Sequence, residues 1–280
     1  MGRPGTTSEA GKSKGGPSFF GTGDMAVQGS KRIIALKKRK AREREGAFLI
    51  EGMRLCEEAL KVDGATEQLV FARDMLDRNE RLAALHETAM KSGVQVQMTD
   101  RRAMKGMCDT ETPQGVVGVA LEPQWDRDEV INCRRPLLIL DQIRDPGNLG
   151  VMLRTAEAAD AGGIFLLKGS CELLNPKVVR STAGSIFRFP VLTDQRPDSL
   201  MDDMKRAGVT VFATDVKGKL FSEVDYSRPH AFLLGNEAFG VDPEVLEKAD
   251  ETVTIPMAEP VNSLNVAVAA GVLLYVKAAK

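Results

Sequence analysis

Short apolar runs alternate with longer amphipathic stretches from Lys31 to the end of the chain, a pattern that predicts an α/β protein. In the first half, strands are predicted at Ala47–Ile50, Gln68–Phe71, Val94–Met98 and Val116–Ala120. Helices are predicted at Lys31–Glu45, Arg54–Lys61, Glu80–Lys91 and Arg101–Met107. Together they form a small α/β/α unit. Pro123 through Arg135 is polar, carries the only tryptophan, Trp125, and reads as a linker.

The second half begins with Leu137–Leu140, an apolar run bounded by Pro136 and Asp141, which is how a strand buried on both faces reads. Further strands are predicted at Gly163–Leu167, Phe189–Val191, Val209–Ala213, Ala231–Leu234 and Thr252–Ile255. Helices fill the gaps at Asn148–Ala161, Asn175–Ser181, Asp198–Ala207, Pro243–Ala249 and Leu264–Ala279. The expected architecture is an open, mostly parallel sheet with helices on both faces. Residues 1–29, rich in Gly, Ser, Thr and Pro, read as a disordered extension. The chain thus divides into 1–29, a first unit over 30–122, the linker over 123–135 and a second unit over 136–280. Gly21-Thr-Gly-Asp-Met-Ala26 fits G-x-G-x-x-A, but no strand precedes it and a dinucleotide reading lacks its context.

Charge adds an asymmetry that the net value of -1 hides. Lys31, Arg32, Lys37, Lys38, Arg39, Lys40, Arg42 and Arg44 face a single acid, Glu43, so residues 31–44 carry eight minus one, or +7. Such a block reads as a phosphate-binding surface ahead of the alternative, a solvated helix face. The four cysteines form no C-x-x-C pair and there are two histidines, a composition that predicts no metal site and a reduced, intracellular protein, cytoplasmic or, in a eukaryote, organellar. No apolar run is long enough for a membrane span.

Candidate chemistry lies at three strand ends, where open α/β sheets bind ligands. Asp145-Pro-Gly-Asn148 follows the first strand of the second unit, with Asn148 placed to cap the next helix and Arg154 in that helix. Gly235-Asn-Glu-Ala-Phe-Gly240 follows Ala231–Leu234, and its glycines permit close backbone approach to a ligand. Ile255-Pro256-Met257 leaves the last strand, and Asn262-Ser-Leu-Asn265 opens the final helix. Caps and surface charges are the plain alternative for each motif taken alone, although Asn262-Ser-Leu-Asn265 before an Ala/Val-rich helix exceeds what a cap needs. Three in one unit suggest one composite site.

These motifs resemble motifs 1, 2 and 3 of the SpoU/TrmH RNA 2′-O-ribose methyltransferases, within the SPOUT class. The resemblance runs from Pro136 to Lys280 and rests on DQIRDPGNLGVMLRTA (Asp141 to Ala156) and NSLNVAVAAG (Asn262 to Gly271). DTETPQGVVGVA, Asp109 to Ala120, resembles the end of the family's substrate-binding domain. The resemblance implies a trefoil-knot catalytic domain, S-adenosylmethionine (AdoMet) as cofactor, a homodimer, and an RNA-binding first unit. It assigns Asn148, Arg154, Glu237, Ser263 and Asn265 to catalysis and ribose binding. Gly235, Ile255 and Leu264 become the main AdoMet contacts, with Thr214, Asp215 and Gly218 as a further cofactor loop. Leu234, Asn236, Gly240, Met257 and Ser263 complete the expected cofactor set.

The expected reaction is methyl transfer to a ribose 2′-oxygen. The family's proposed activator falls on Arg154, but a guanidinium stays protonated in proteins, which favours phosphate binding and charge stabilisation for it. By family analogy the full first unit favours ribosomal RNA. Transfer RNA as substrate, and a non-catalytic ribosome-assembly role, remain open.

Overall fold

The computed structural model describes residues 30–276. The expected disorder of 1–29 and the last turn of the expected C-terminal helix lie outside them. Residues 30–35 are helical, and the chain breaks at 36–38 before α1 (Arg39–Glu45). The single helix expected over Lys31–Glu45 is therefore two. At the break Lys38 is extended (φ -94°, ψ 131°), and the freed carbonyls of Leu36 and Lys37 both accept from Arg42 Nη1 at 2.8 Å. The turn drives Ile33 and Leu36 into the core and leaves Lys38, Arg39 and Lys40 exposed.

There follow β1 (Ala47–Glu51), α2 (Met53–Leu60), β2 (Thr66–Ala72), α3 (Glu80–Lys91), β3 (Gln95–Thr99), α4 (Arg101–Met107) and β4 (Val116–Leu121). The sheet order is β1-β4-β2-β3, antiparallel except for β2 with β3. Side chains alternate across it. Phe48, Ile50, Leu69 and Phe71 pack on α2 and α3, whereas Leu49, Val70, Val117 and Val119 pack on α4 and the first helical turns.

The segment expected as a linker contains α5 (Arg127–Ile131), capped by Asp126. Val130 and Ile131 are buried with Leu137, Phe165 and Leu200, so the segment forms part of the second core.

That core surrounds β5 (Leu137–Leu140), α6 (Pro146–Ala158), β6 (Gly163–Leu167), α7 (Pro176–Ser181), β7 (Val191–Gln195), α8 (Pro197–Arg206), β8 (Thr210–Leu220), β9 (His230–Leu234), α9 (Pro243–Leu246), β10 (Glu251–Thr254) and α10 (Val266–Tyr275). All six strands are parallel, in the order β10-β8-β9-β5-β6-β7. β5 lies centrally; Leu138 and Leu140 face one helical layer, Leu137 and Ile139 the other. The strand expected at Phe189–Val191 begins only at Val191, because Phe189 is drawn into the core and Pro190 has no N–H for the ladder. β8 runs further than expected, and its pairing with β10 skips from Ala213 to Lys219, which throws residues 214–218 outward.

The two sheets are held together. The Arg42 guanidinium, 3% exposed, forms a two-pronged pair with Glu172 at 2.6 Å on each prong. Arg188 reaches Glu58 at 2.6 Å, Arg180 reaches Asp109 at 2.9 Å, and Phe48 stacks on Phe187.

Candidate active site

The loops leaving β5 and β9 are built as one piece. Asp141, buried at the end of β5, donates its N–H to Leu234 O and accepts from Asp242 N, each at 2.8 Å. Burial holds its carboxyl above the usual carboxylate range. Asn236 Nδ2 then donates to Gln142 O at 3.0 Å. Asn236 and Gly240 exchange two backbone hydrogen bonds of 2.8 Å, closing a tight turn between them. Gly235 is required there: a Cβ would lie closer than 3.0 Å to the Gly240 carbonyl carbon and Val241 N, which cannot yield.

The helix after β5 starts earlier than expected. Asp145, not Asn148, is its N-cap, accepting from Asn148 N at 2.9 Å with Pro146 in the first turn. The Asp-Pro pair is the signal that could have found this cap. The amide hydrogen bond from Asn148 N, with one from Gly147 N, holds the Asp145 carboxyl below its ordinary range. Relieved of capping, the Asn148 side chain faces the other two motifs. Its Nδ2 donates to Glu237 Oε1 at 2.6 Å, and its Oδ1 accepts from Asn265 Nδ2 at 2.9 Å. Asn265 in turn caps α10, accepting from Ala267 N and Val268 N at 2.9 and 3.3 Å. Asn262 and Ser263, the other cap candidates, are exposed in the stretch before it.

Beside this chain of three side chains opens a cleft of about 750 Å³. Thr214, Asp215, Leu234, Gly235, Asn236, Gly240, Ile255, Met257, Ser263 and Leu264 line it, together with Glu237. Among the described residues, its lining carries the carboxylates of Asp215 and Glu237 and no Lys or Arg. Apolar surface from Leu234, Val253, Ile255 and Leu264 forms much of the remainder. Gly218 does not line the cleft. Its missing side chain lets β8 lie against β10, where a Cβ would sit closer than 3.0 Å to Val253 N, so its role is in strand packing.

Arg154 is not brought to the other motif residues. It lies six positions after Asn148, about 240° further round the helix, is exposed, and makes no hydrogen bond or ion pair with a described residue. The basic block is also less free than its charge implies. Arg42 is buried on Glu172; Arg32 pairs with Glu45 and Glu67, Arg39 with Glu43, and Arg44 with Glu45. Lys37 Nζ donates to the carbonyls of Gly106 and Cys108. Lys31, Lys38 and Lys40 remain exposed and unpaired with any described residue. Arg42 is thus a structural residue and not an RNA contact, because its donors are consumed inside the fold. Among the described residues no group of His, Cys, Asp or Glu side chains is placed to hold a metal ion, and no helix is long and apolar enough to cross a membrane.

Comparison with known proteins gives this geometry a context. Residues 135–275 match the SpoU rRNA Methylase family, and residues 30–118 match the MRM3-like substrate binding domain. The chain is 37% identical to the 23S rRNA (guanosine(2553)-2′-O)-methyltransferase RlmP of Bacillus subtilis, over 86% of this chain and 92% of that protein. It is 31% identical to a 23S rRNA (uridine(2479)-2′-O)-methyltransferase of Streptomyces viridochromogenes, over 86% of this chain and 85% of that one. The AdoMet-bound rRNA methyltransferase from Sinorhizobium meliloti superposes with a TM-score of 0.76 at 30% identity, covering 88% of this chain and 92% of that structure.

Proposed function

This chain belongs to the SpoU rRNA methylase family, and from that premise we propose that it transfers a methyl group from AdoMet to a ribose 2′-hydroxyl of ribosomal RNA. The observation that carries the reading is the acidic, cation-free cleft beside the Asn265–Asn148–Glu237 chain. Its size falls within the range of small-molecule sites, its apolar walls suit an adenosine, and its carboxylates suit a cationic ligand. AdoMet is such a ligand, and when bound it supplies an electrophilic methyl group on a sulfonium. Gly235, Ile255 and Leu264 would hold it, with Thr214 and Asp215 also lining the cleft.

The residues of the chain do the rest. Asn148 fixes one oxygen of Glu237, and the other oxygen makes no bond to a described residue. That oxygen is free to accept the hydrogen of a ribose hydroxyl and turn a lone pair toward the methyl group. Glu237 would take the proton that the 2′-oxygen loses on methylation. Positioning of this kind contributes several kcal/mol to the lowering of a barrier. Arg154, permanently charged, serves a phosphate or the developing charge on oxygen.

Homodimer formation belongs to this reading. Its support is an apolar stripe over α6 and α10, where Val151, Val268 and Tyr275 are 47%, 53% and 47% exposed. Arg154 stands on the same stripe, so a second copy covering it meets that guanidinium. The trefoil knot, an RNA-binding first unit over 30–122 ahead of the catalytic unit, and action in the cytoplasm belong to the same reading.

The test is transfer of labelled methyl from AdoMet to in vitro-transcribed 23S rRNA, followed by mapping of 2′-O-methyl sites. Labelling of transfer RNA alone redirects the substrate; RNA binding without any transfer assigns an assembly role.

A further inference from the structure

Phe239 is the most exposed large hydrophobic residue among those described, at 87%. It is not on a loose loop. The turn that bears it is closed by the two Asn236–Gly240 backbone bonds, by Ala238 N donating to Asn236 Oδ1 at 2.9 Å, and by Asn236 Nδ2 on Gln142 O. The same turn directs Glu237 onto Asn148. Two residues later it presents a bare aromatic ring at the rim of the cleft, facing solvent. No described residue covers this ring, and an exposed aromatic gives up the large favourable burial that its type normally brings.

We propose that Phe239 is a stacking platform for the base of the nucleotide that is methylated. The inference rests on the ribose-methylation reading above. Unpaired RNA bases are recognised by stacking on aromatic faces. Two residues span at most about 7 Å, a separation that one nucleotide bridges between its 2′-oxygen and its base. A base on Phe239 therefore leaves its own ribose beside Glu237 and Asn148. The cofactor is the weaker occupant, because the inner walls of the cleft at Leu234, Ile255 and Leu264 already offer it apolar surface. A second copy is weaker too, because the apolar stripe lies on α6 and α10.

The experiment uses the full chain and 23S rRNA transcribed without modifications. Phe239→Ala should lower kcat/KM for RNA by roughly 5- to 150-fold, the range of one lost base stack. Phe239→Leu, apolar but without a ring, should fall nearly as far, and Phe239→Tyr should stay near wild type. AdoMet affinity by calorimetry should not move in any of the three. Leu matching Phe, or a loss of AdoMet affinity in the alanine variant, overturns the proposal. A second readout does not need turnover. In a Trp125→Phe background, Phe239→Trp supplies the only indole, and saturating RNA should quench its fluorescence and shield it from iodide. Unchanged fluorescence with RNA bound overturns the proposal even if methylation is intact. Quenching without methyl transfer by the wild type upholds the stack and removes the catalytic reading.

Discussion

Asn148 Nδ2 donates to Glu237 Oε1 across 2.6 Å, joining the first turn of α6 to the turn after β9. The same amide accepts from Asn265 Nδ2, so one side chain fixes two others from separate loops. Asn148→Ala removes both bonds at once and should lower the single-turnover rate by about 100-fold, the scale of one preorganised polar group. Asn148→Asp should be worse, because it sets a second carboxylate against Glu237. AdoMet affinity should survive the alanine change. Equal rates for the two variants would show that the pairing with Glu237 is incidental.

Gly235 tests whether the turn builds the cofactor wall. Even Gly235→Ala puts a Cβ closer than 3.0 Å to backbone atoms of Gly240 and Val241. The turn must open, and AdoMet binding by calorimetry should fall at least tenfold while circular dichroism keeps its helical signal. Gly218→Ala offers the contrast. It disturbs the approach of β8 to β10, so its melting temperature should drop by several degrees. Binding intact in Gly235→Ala would remove that wall from the site.

The acid limb of stability should carry the mark of Asp145. Its carboxyl sits below its ordinary range because Asn148 N and Gly147 N donate to the charged form. A carboxylate with a depressed folded-state pKa contributes stability above its unfolded pKa, about 3.9, and loses it as pH falls through the folded value. Asp145→Ala should therefore cost about 1 kcal/mol at pH 7, as for a lost N-cap, and progressively less below pH 4. Urea melts at pH 7 and pH 3 measure both ends. A difference that grows on acidification contradicts the sign.

Within the basic block, charge and structure can be separated. Lys31, Lys38 and Lys40 are free to meet phosphates, and replacing all three with Gln should weaken RNA binding and flatten its salt slope. Arg42→Ala should act differently. It strands Glu172 and two carbonyls in a buried setting, for a loss of about 3 kcal/mol in stability. A salt slope unchanged in the triple variant would return the block to a solvated face.

The contrast between Arg42 and Lys38 marks the limit of what the sequence discloses. The strand and helix pattern was legible because burial follows period; LLIL at 137–140 reads as a central parallel strand and is one. The three motifs were legible because their residue types cluster at strand ends. What charge alone hides is which cations are spent on tertiary partners, since Glu172 lies 130 residues from Arg42. Capping was misplaced at Asn148 for a local reason, that Asp145 before Pro146 competes better for the same N–H. Gly218 resembled a cofactor loop, yet a glycine required by strand packing and one required by a ligand look alike until the facing backbone is known.

Arg154 is where the single chain is least complete. The motifs bring Asn148, Glu237 and Asn265 into one hydrogen-bonded chain, and Arg154 stands on another face of α6, exposed beside Val151. If its charge acts on RNA, its removal should depress turnover more than binding. Arg154→Ala is expected to bind AdoMet normally and to methylate RNA about 100- to 1,000-fold more slowly. Arg154→Lys distinguishes two roles, because lysine sheds a proton more readily but lacks the planar fork that clamps a phosphate. Rescue by lysine would favour proton transfer; failure favours charge stabilisation. Val151→Asp then asks whether the stripe around Arg154 is covered by a second copy. It should shift the protein toward monomer in light scattering and lower methyl transfer, although the cleft residues are untouched. A Val151→Asp protein that stays dimeric and fully active would place the dimer elsewhere. Wild-type turnover in Arg154→Ala would remove Arg154 from the reaction and move the search to Glu237 and Ser263, which line the cleft.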